Sequence, residues 1–313
     1  MRPRWLMAAA LVAAAGCGRR SERPGAPPAD GAPALEPLMA TPVAAAAPLD
    51  ELTCEKLPFA ETIPISEASG AVWLARAGTR AGVVMVVGDS GNDGAYLVLD
   101  GDDGRVLERG ELPLGSGNDD LEGLSTDGEL IWALTSGGWM RAWRAMPGGG
   151  FELAVSPYAI SDQSCNVVNC GRNFEGLCLV AGGGTIHGCH GFGAAKATGE
   201  LVCLVRDGDR YRAVDDRVRA VSGPEALAAC DVGPDGALWT GDNLFGGSQV
   251  RRLDGDQVVA VHLGQGFPEA MAIGPGDRDG DVIVYRFSDT GRAPSRANRY
   301  RCTTKSARTA GAE

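Results

Sequence analysis

Positive charge is scarce in this chain of 313 residues. Lys and Arg number 29 against 40 Asp and Glu, for a net charge of −11. A nucleic-acid or anionic-membrane surface needs clustered Lys and Arg, so neither partner fits. Histidine occurs three times, at His187, His190 and His262. That scarcity bears on Gly88-Asp89-Ser90-Gly91-Asn92, which looks like a serine-protease motif. A triad needs a histidine base, yet all three histidines lie downstream of Ser90, against the chymotrypsin chain order. The same repeat position later reads Gly241-Asp242-Asn243, without serine. His187 and His190 are three apart, so on a strand they face opposite sides and do not converge on one metal. No apolar run approaches the ~20 residues of a membrane-spanning helix. Helical periodicity is weak beyond the first few dozen residues. Glycine, by contrast, occurs 46 times and hydrophobic residues make up 44%, enough for a sizeable core with many tight turns.

The first 17 residues read as a targeting segment. Arg2 and Arg4 form a charged start and Leu6 to Ala15 a short apolar run. The ending Ala14-Ala15-Gly16-Cys17 resembles a bacterial lipobox, with Ala where Leu is usual three positions before the cysteine. The resemblance implies that Cys17 is the lipidated mature N-terminus, and an ordinary secretory signal is the alternative. Both export the chain. Gly18 follows the cysteine, which by the same resemblance points to an outer-membrane lipoprotein, periplasmic or at the cell surface. In residues 18–50, seven Pro and nine Ala occupy 16 of 33 positions. Such a stretch builds no core and reads as a disordered tether. The globular part is expected at 51–303, and 304–313 as a disordered tail.

Eight further cysteines are present: Cys54, Cys165, Cys170, Cys178, Cys189, Cys203, Cys230 and Cys302. An even count in an exported chain reads as disulfides. Zinc on Cys165, Cys170, Cys178, Cys189 and His190 is the rival, but it requires reduced thiolates and a tighter CxxC spacing.

One stretch organises the rest: Gly117-Asn118-Asp119-Asp120-Leu121-Glu122-Gly123-Leu124-Ser125. Echoes occur at Arg172-Asn173-Phe174-Glu175-Gly176-Leu177, Pro224-Glu225-Ala226-Leu227, Pro268-Glu269-Ala270-Met271 and Glu67-Ala68-Ser69-Gly70. From Ser69 through Glu122, Glu175, Glu225 and Glu269 the steps are 53, 53, 50 and 44 residues. Strand-rich units at that period predict an all-β fold, a β-propeller of five or six blades. Each unit reads as four strands, A to D. Strand A follows the motif. Strand B is a β-branched or aromatic run, at Val83–Val87, Leu130–Leu134, Thr185–Cys189, Ala237–Thr240 and Asp281–Phe287. Strand C precedes a turn, three times Asp-Gly-Asp, and strand D follows it. The fifth unit lacks strand D, while Leu52–Phe59 is a surplus strand at the start. Closing the ring with that strand removes the sheet edges and sets Cys54 beside Cys302, predicting their disulfide. Cys165–Cys170 is expected as a loop clip, with Cys178, Cys189, Cys203 and Cys230 pairing among themselves. A sixth blade would have to come from Ser156–Arg172 or Asp215–Pro224.

In an antiparallel blade the start of A and the end of B share a face. The acidic A-starts Asp119, Asp120, Glu122, Glu175, Glu225 and Glu269 should therefore meet the polar B-ends Asp89, Ser90, Asn92, Ser136, His190, Asp242, Asn243 and Asp289 at one axial mouth. An oxygen-rich funnel suits a hard cation such as Ca²⁺. The plain alternative is that the Glu side chains bond backbone N–H groups of the next blade and latch the ring. Asp277-Arg278-Asp279-Gly280-Asp281 resembles the start of a calcium loop, but Ser288 occupies the position of its twelfth-place acid. A hairpin turn is the expectation there.

Asp120-Leu121-Glu122-Gly123-Leu124, followed by Leu130–Ser136, and Asn173-Phe174-Glu175-Gly176-Leu177 resemble the propellers grouped as SdiA-regulated or phytase-like. The likeness spans roughly residues 62–290. It implies a propeller with either a binding role or Ca²⁺-dependent esterase or phosphoesterase chemistry. The residues favour a monomeric, lipid-anchored propeller that binds a ligand or partner at the acidic mouth. A Lys or Arg at the mouth would favour the enzyme, and a plug of Trp139, Trp143 or Phe245 would favour binding.

Overall fold

A computed structural model describes residues 51–76, 79–243, 248–264, 267–278, 280–291 and 294–305. Cys17, the 18–50 segment and Phe245 lie outside them. The fold is a five-bladed β-propeller. The chain begins with β1 (Glu51–Leu57) and a two-residue β2 (Thr62–Ile63). Blade 1 follows as β3 (Ala68–Arg76), β4 (Thr79–Gly88), β5 (Ala95–Asp100) and β6 (Val106–Glu111). Blade 2 is β7 (Gly123–Thr126), β8 (Ile131–Leu134), β9 (Trp139–Ala145) and β10 (Phe151–Ala159). Blade 3 is β11 (Phe174–Leu179), β12 (Gly191–Ala195), β13 (Glu200–Asp207) and β14 (Arg210–Ala220). Blade 4 is β15 (Leu227–Val232), β16 (Leu238–Asp242), β17 (Gln249–Asp254) and β18 (Gln257–His262). Blade 5 is β19 (Pro268–Pro275), β20 (Asp281–Ser288) and β21 (Ser295–Lys305), completed by β1. β1 pairs antiparallel with β21, with Cys54 opposite Cys302. The innermost strands β3, β7, β11, β15 and β19 contact one another in a closed cycle.

Burial follows strand position. Every residue of β11 and β20 is buried, because inner strands are covered by a blade on each side and read as continuous apolar runs. The outermost β18 alternates half-buried and exposed, the period-2 pattern of a strand with one wet face. The Glu-Gly motif has a packing cause. A Cβ on Gly123 would lie 2.3 Å from Leu177 N, and one on Gly176 2.7 Å from Cys230 N. Neighbouring inner strands approach so closely near the axis that only glycine fits.

The blades are latched at one recurring place, two residues past this small position. Ser125 Oγ accepts Leu179 N–H of blade 3 at 2.9 Å. Cys178 bonds Cys230 of blade 4. Asp231 Oδ2 accepts Ile273 N–H of blade 5 at 2.7 Å. The remaining disulfides are Cys54–Cys302, Cys165–Cys170 and Cys189–Cys203. All eight cysteines are thus paired, as expected, and the zinc alternative falls. Four disulfides fit an oxidising, extracytoplasmic compartment. Among the described residues no helix is long and apolar enough to cross a membrane.

Two strand-level expectations need correction. Thr185–Cys189 is not strand B of blade 3; the strand is Gly191–Ala195. Thr185–Cys189 forms a tight loop closed by an Ile186–Cys189 bridge and pinned by Cys189–Cys203. The Gly-Phe-Gly-Ala-Ala strand has low β-propensity, but a Cβ on Gly193 would meet the Phe174 ring at 2.8 Å. Packing overrides propensity there. No sixth blade exists among the described residues: β10 and β14 simply run longer than expected. Gly276 N–H bonds Asp281 O, and Asp281 N–H bonds Arg278 O, the hairpin expected in place of a calcium loop.

Candidate functional site

The mouth is built by a repeated irregularity. Pairing of the first two strands shifts at Ala68/Gly70, Phe174/Gly176, Leu227/Ala229 and Pro268/Ala270. Each shift is a β-bulge that re-aims one residue. The bulged positions are Ser69, Glu175, Ala228 and Glu269, and Glu122 precedes Gly123 in the matching place. Across from them, just past each second strand, stand Asp89, Ser136, Lys196, Asn243 and Asp289. In four blades the N–H of this second residue is held by main chain: Asp89 by Glu67 O, Lys196 by Asn173 O, Asn243 by Ala226 O and Asp289 by Phe267 O. Blade 2 differs. There Ser136 N–H donates to the Asp120 side chain.

Asp89, Asp120 and Glu122 form a group that could hold a metal ion, each offering an oxygen within 4.8 Å of the others. Asp120 and Glu122 are buried. Asp120 Oδ2 accepts Ser136 Oγ–H at 2.6 Å and Ser136 N–H at 3.2 Å. Its Oδ1 is buried with no hydrogen-bond partner. Burial pushes the carboxyl of Asp120 up, partly offset by Ser136. Burial pushes Glu122 well above the usual carboxylate range, and the charges of Glu175, Asp89, Asp120 and Glu269 add to it. Asp89 is likewise raised by burial, and then by Asp120 and Glu67 against the lowering bond from Ser90 N–H. Carboxylates this close oppose each other's ionisation unless a cation compensates.

The other half of the mouth carries its own cation. Lys196 Nζ pairs with Glu175 at 3.1 Å, and Asn173 Nδ2 donates to Glu175 at 3.1 Å. Asn243 Nδ2 donates to Glu269 at 3.0 Å. Burial pushes both Glu175 and Glu269 up to about 7, with Lys196 acting against it in each. Burial pulls the Lys196 ammonium down, but Glu175, Glu269 and Glu122 outweigh it and the net shift is upward. Among the described residues, Glu175 and Glu269 thus bond side chains and not the backbone of the next blade. The latching alternative belongs to Ser125, Cys178 and Asp231 instead.

Several expected residues stand elsewhere. Glu225 is exposed on a turn with φ 62°, and Ala228 occupies the position assigned to it. His190 precedes β12, at the end of the blade away from the mouth, where its Nδ1 accepts Arg206 N–H. Asp242 is buried against Arg251, at 2.5 Å. Asp289 does stand at the mouth, where its charge helps raise Glu269, and its Oδ1 accepts Gly291 N–H; Asp119 Oδ2 accepts Gly91 and Asp93 N–H of the neighbouring loop. Ser90 donates its N–H to Asp89. Trp143 is buried with Nε1–H on Pro113 O, in the blade core and not as a plug, and Trp139 begins β9 half-buried.

Lys196 and the buried Arg141 escaped the reading of the sequence. Lys196 was hidden by the misplaced strand B of blade 3. Arg141 lies under the loop carrying Asp119 and Asp120, donating to Leu114 O at 3.0 Å. Burial pulls its guanidinium down to about 10 against the two carboxylates. Its strand position was legible, but its contacts are not.

No protein-family model and no curated protein matches the chain. Solved structures do. The glutaminyl cyclase of Myxococcus xanthus aligns with a TM-score of 0.50 at 18% identity, over 83% of this chain and 100% of that one. A luciferin-regenerating enzyme aligns with a TM-score of 0.42 at 12% identity, over 81% of this chain and 97% of that one. The likeness to the cyclase concerns the fold.

Proposed function

We propose that this chain is an extracytoplasmic propeller that binds a divalent cation at Asp89, Asp120 and Glu122 and takes a ligand or partner over it at the axial mouth. The observation that carries this reading is the buried, unpartnered Oδ1 of Asp120 within the acidic group. An unsatisfied buried carboxylate oxygen is costly, and a hard cation is the partner that three carboxylates suit best. Calcium is the first candidate. Lipidation at Cys17 and an outer-membrane address follow from the lipobox-like segment, as does membership of the phytase-like grouping from the Asp-Leu-Glu-Gly-Leu motif. The protein acts as a monomer, with no nucleic-acid partner.

Calorimetric melting of EDTA-treated protein with added calcium, magnesium or manganese tests the cation. At a concentration of 100 Kd the bound ion adds about 2.7 kcal/mol, a rise of about 5 °C or more for a domain of this size. Three unmoved melting curves would refute the reading. For the anchor, Cys17→Ser should shift the protein from the membrane to the soluble fraction, and an unlipidated mature N-terminus on mass spectrometry rejects it.

A second reading is favoured by Lys196, whose ammonium reaches the same mouth. A divalent ion held by Asp89, Asp120 and Glu122 would supply Lewis-acid chemistry toward an ester, and Lys196 would take developing negative charge, the combination of a metal-dependent ester or phosphoester hydrolase. Generic ester, phosphate-ester and glutaminyl substrates, each with and without calcium, separate the two. Calcium-dependent turnover lost in Lys196→Met supports the enzyme, and cation binding without turnover supports the binding role.

A further inference from the structure

The Cys165–Cys170 disulfide closes a short loop on the mouth face. The loop tip is turned to solvent: Val167 is 66% and Val168 41% exposed, so no core of its own holds it. It is held by three hydrogen bonds to three consecutive residues of the turn joining β8 to β9. Asn169 N–H donates to Ser136 Oγ at 2.8 Å. Cys165 N–H donates to Gly137 O at 2.8 Å. Ser164 Oγ–H donates to Gly138 O at 2.8 Å. Contact is close, since a Cβ on Gly137 would lie 2.1 Å from Cys165 O.

Ser136 is fully buried, and its hydroxyl has a single proton. Asn169 N–H occupies an acceptor position of Oγ, so the proton is directed to Asp120 Oδ2. A relay thus runs from the clipped loop through one hydroxyl to one carboxylate. That carboxylate presents the unpartnered oxygen. Asn169 takes a left-handed conformation, φ 56°, which Asn adopts more readily than most non-glycine residues.

We propose that the Cys165–Cys170 loop, acting through Ser136, is the positioning element of the cation site. It fixes the orientation of Asp120, and opening the disulfide loosens that carboxylate and weakens the ion. The inference rests on the cation reading above. Groups that orient metal ligands from behind are worth about 10- to 100-fold in affinity.

The test compares the oxidised wild-type chain with Cys165→Ser/Cys170→Ser, with Ser136→Ala and with the combination. Isothermal titration with calcium should show a loss on the order of tenfold in either variant. The combination should lose no more than the worse of the two, because both act on one carboxylate and such effects do not add. In calcium-free protein, hydrogen exchange at the Ser136 amide should accelerate in the opened-clip variant, while Ala133 in β8 keeps its protection. A Ser136 amide that stays protected, or affinity losses that add, overturns the proposal. Should the wild type bind no cation, the reading of the site fails, and the exchange measurement alone decides whether the clip orients Asp120. If Ser136→Ala does not fold, the surface clip variant still carries both readouts.

Discussion

At the scale of single residues, Asp120 decides whether the mouth holds an ion. Its Oδ2 is satisfied twice by Ser136 and its Oδ1 not at all. Asp120→Asn keeps the shape and removes the charge, so it should abolish any calcium-dependent rise in melting temperature while the metal-free protein melts at least as high as wild type. A calcium shift that survives in this variant would move the site elsewhere. The pH dependence follows from Glu175 and Glu269. Both carboxyls sit at about 7 in the folded chain against an ordinary 4.5. Between those values the folded state binds more protons than the unfolded state. The stability that these two groups contribute is therefore full below about 4.5 and is lost as pH rises through 7. Metal-free protein should melt higher at pH 5 than at pH 8, and calcium should narrow the gap by restoring stability at pH 8. A metal-free melting temperature that rises over this range contradicts the burial of these two groups.

At the scale of elements, the inner strands carry the demand for small residues and for latches. Gly176→Ala brings a Cβ to 2.7 Å from the backbone nitrogen of Cys230. Backbone cannot swing aside as a side chain can, so a loss of about 1–3 kcal/mol is expected from overpacking, read by urea denaturation. Asp231→Ala strands the Ile273 N–H and frees the Val232 N–H. An unsatisfied buried donor costs about 1–3 kcal/mol. Burial has already pushed Asp231 up to about 7 against those two bonds, which partly offsets the loss near neutral pH. An unchanged denaturation midpoint would show that the two inner strands are held by packing alone. The inner strands were legible because their glycines and glutamates repeat. Strand β12 was not, because glycine and alanine form it only under the Phe174 ring.

At the scale of the whole molecule, ring closure depends on β1, which pairs with β21 across a sequence separation of 248 residues. Removing Cys54–Cys302 frees the longest loop in the domain. The chain-entropy model then gives a loss above about 4 kcal/mol. Cys54→Ala/Cys302→Ala should lower the denaturation midpoint more than opening Cys165–Cys170, whose separation is 5 residues. Equal effects would mean that the unfolded chain is already compact around the closing blade.

The sequence by itself determined the propeller repeat, with five or six blades left open, the closing strand and the partner of Cys54. Each is a local pattern or a count: the Glu-Gly motif, β-branched runs, Asp-Gly turns, a strand missing at one end and surplus at the other. It also brought Asp89, Asp120, Glu122, Glu175 and Glu269 to one face, since antiparallel neighbours must share an end. Only the tertiary structure decided which polar residues complete that face. Reading the Thr185–Cys189 loop as strand B of blade 3 put His190 where Lys196 belongs, and three residues of register in blade 4 put Glu225 where Ala228 stands. The bulges and the Cys189–Cys203 bond set that register, and they answer to contacts between residues distant in sequence. The Asp242–Arg251 pair within blade 4 and the loop behind Ser136 are likewise contacts between residues whose types carry no mark of their partners.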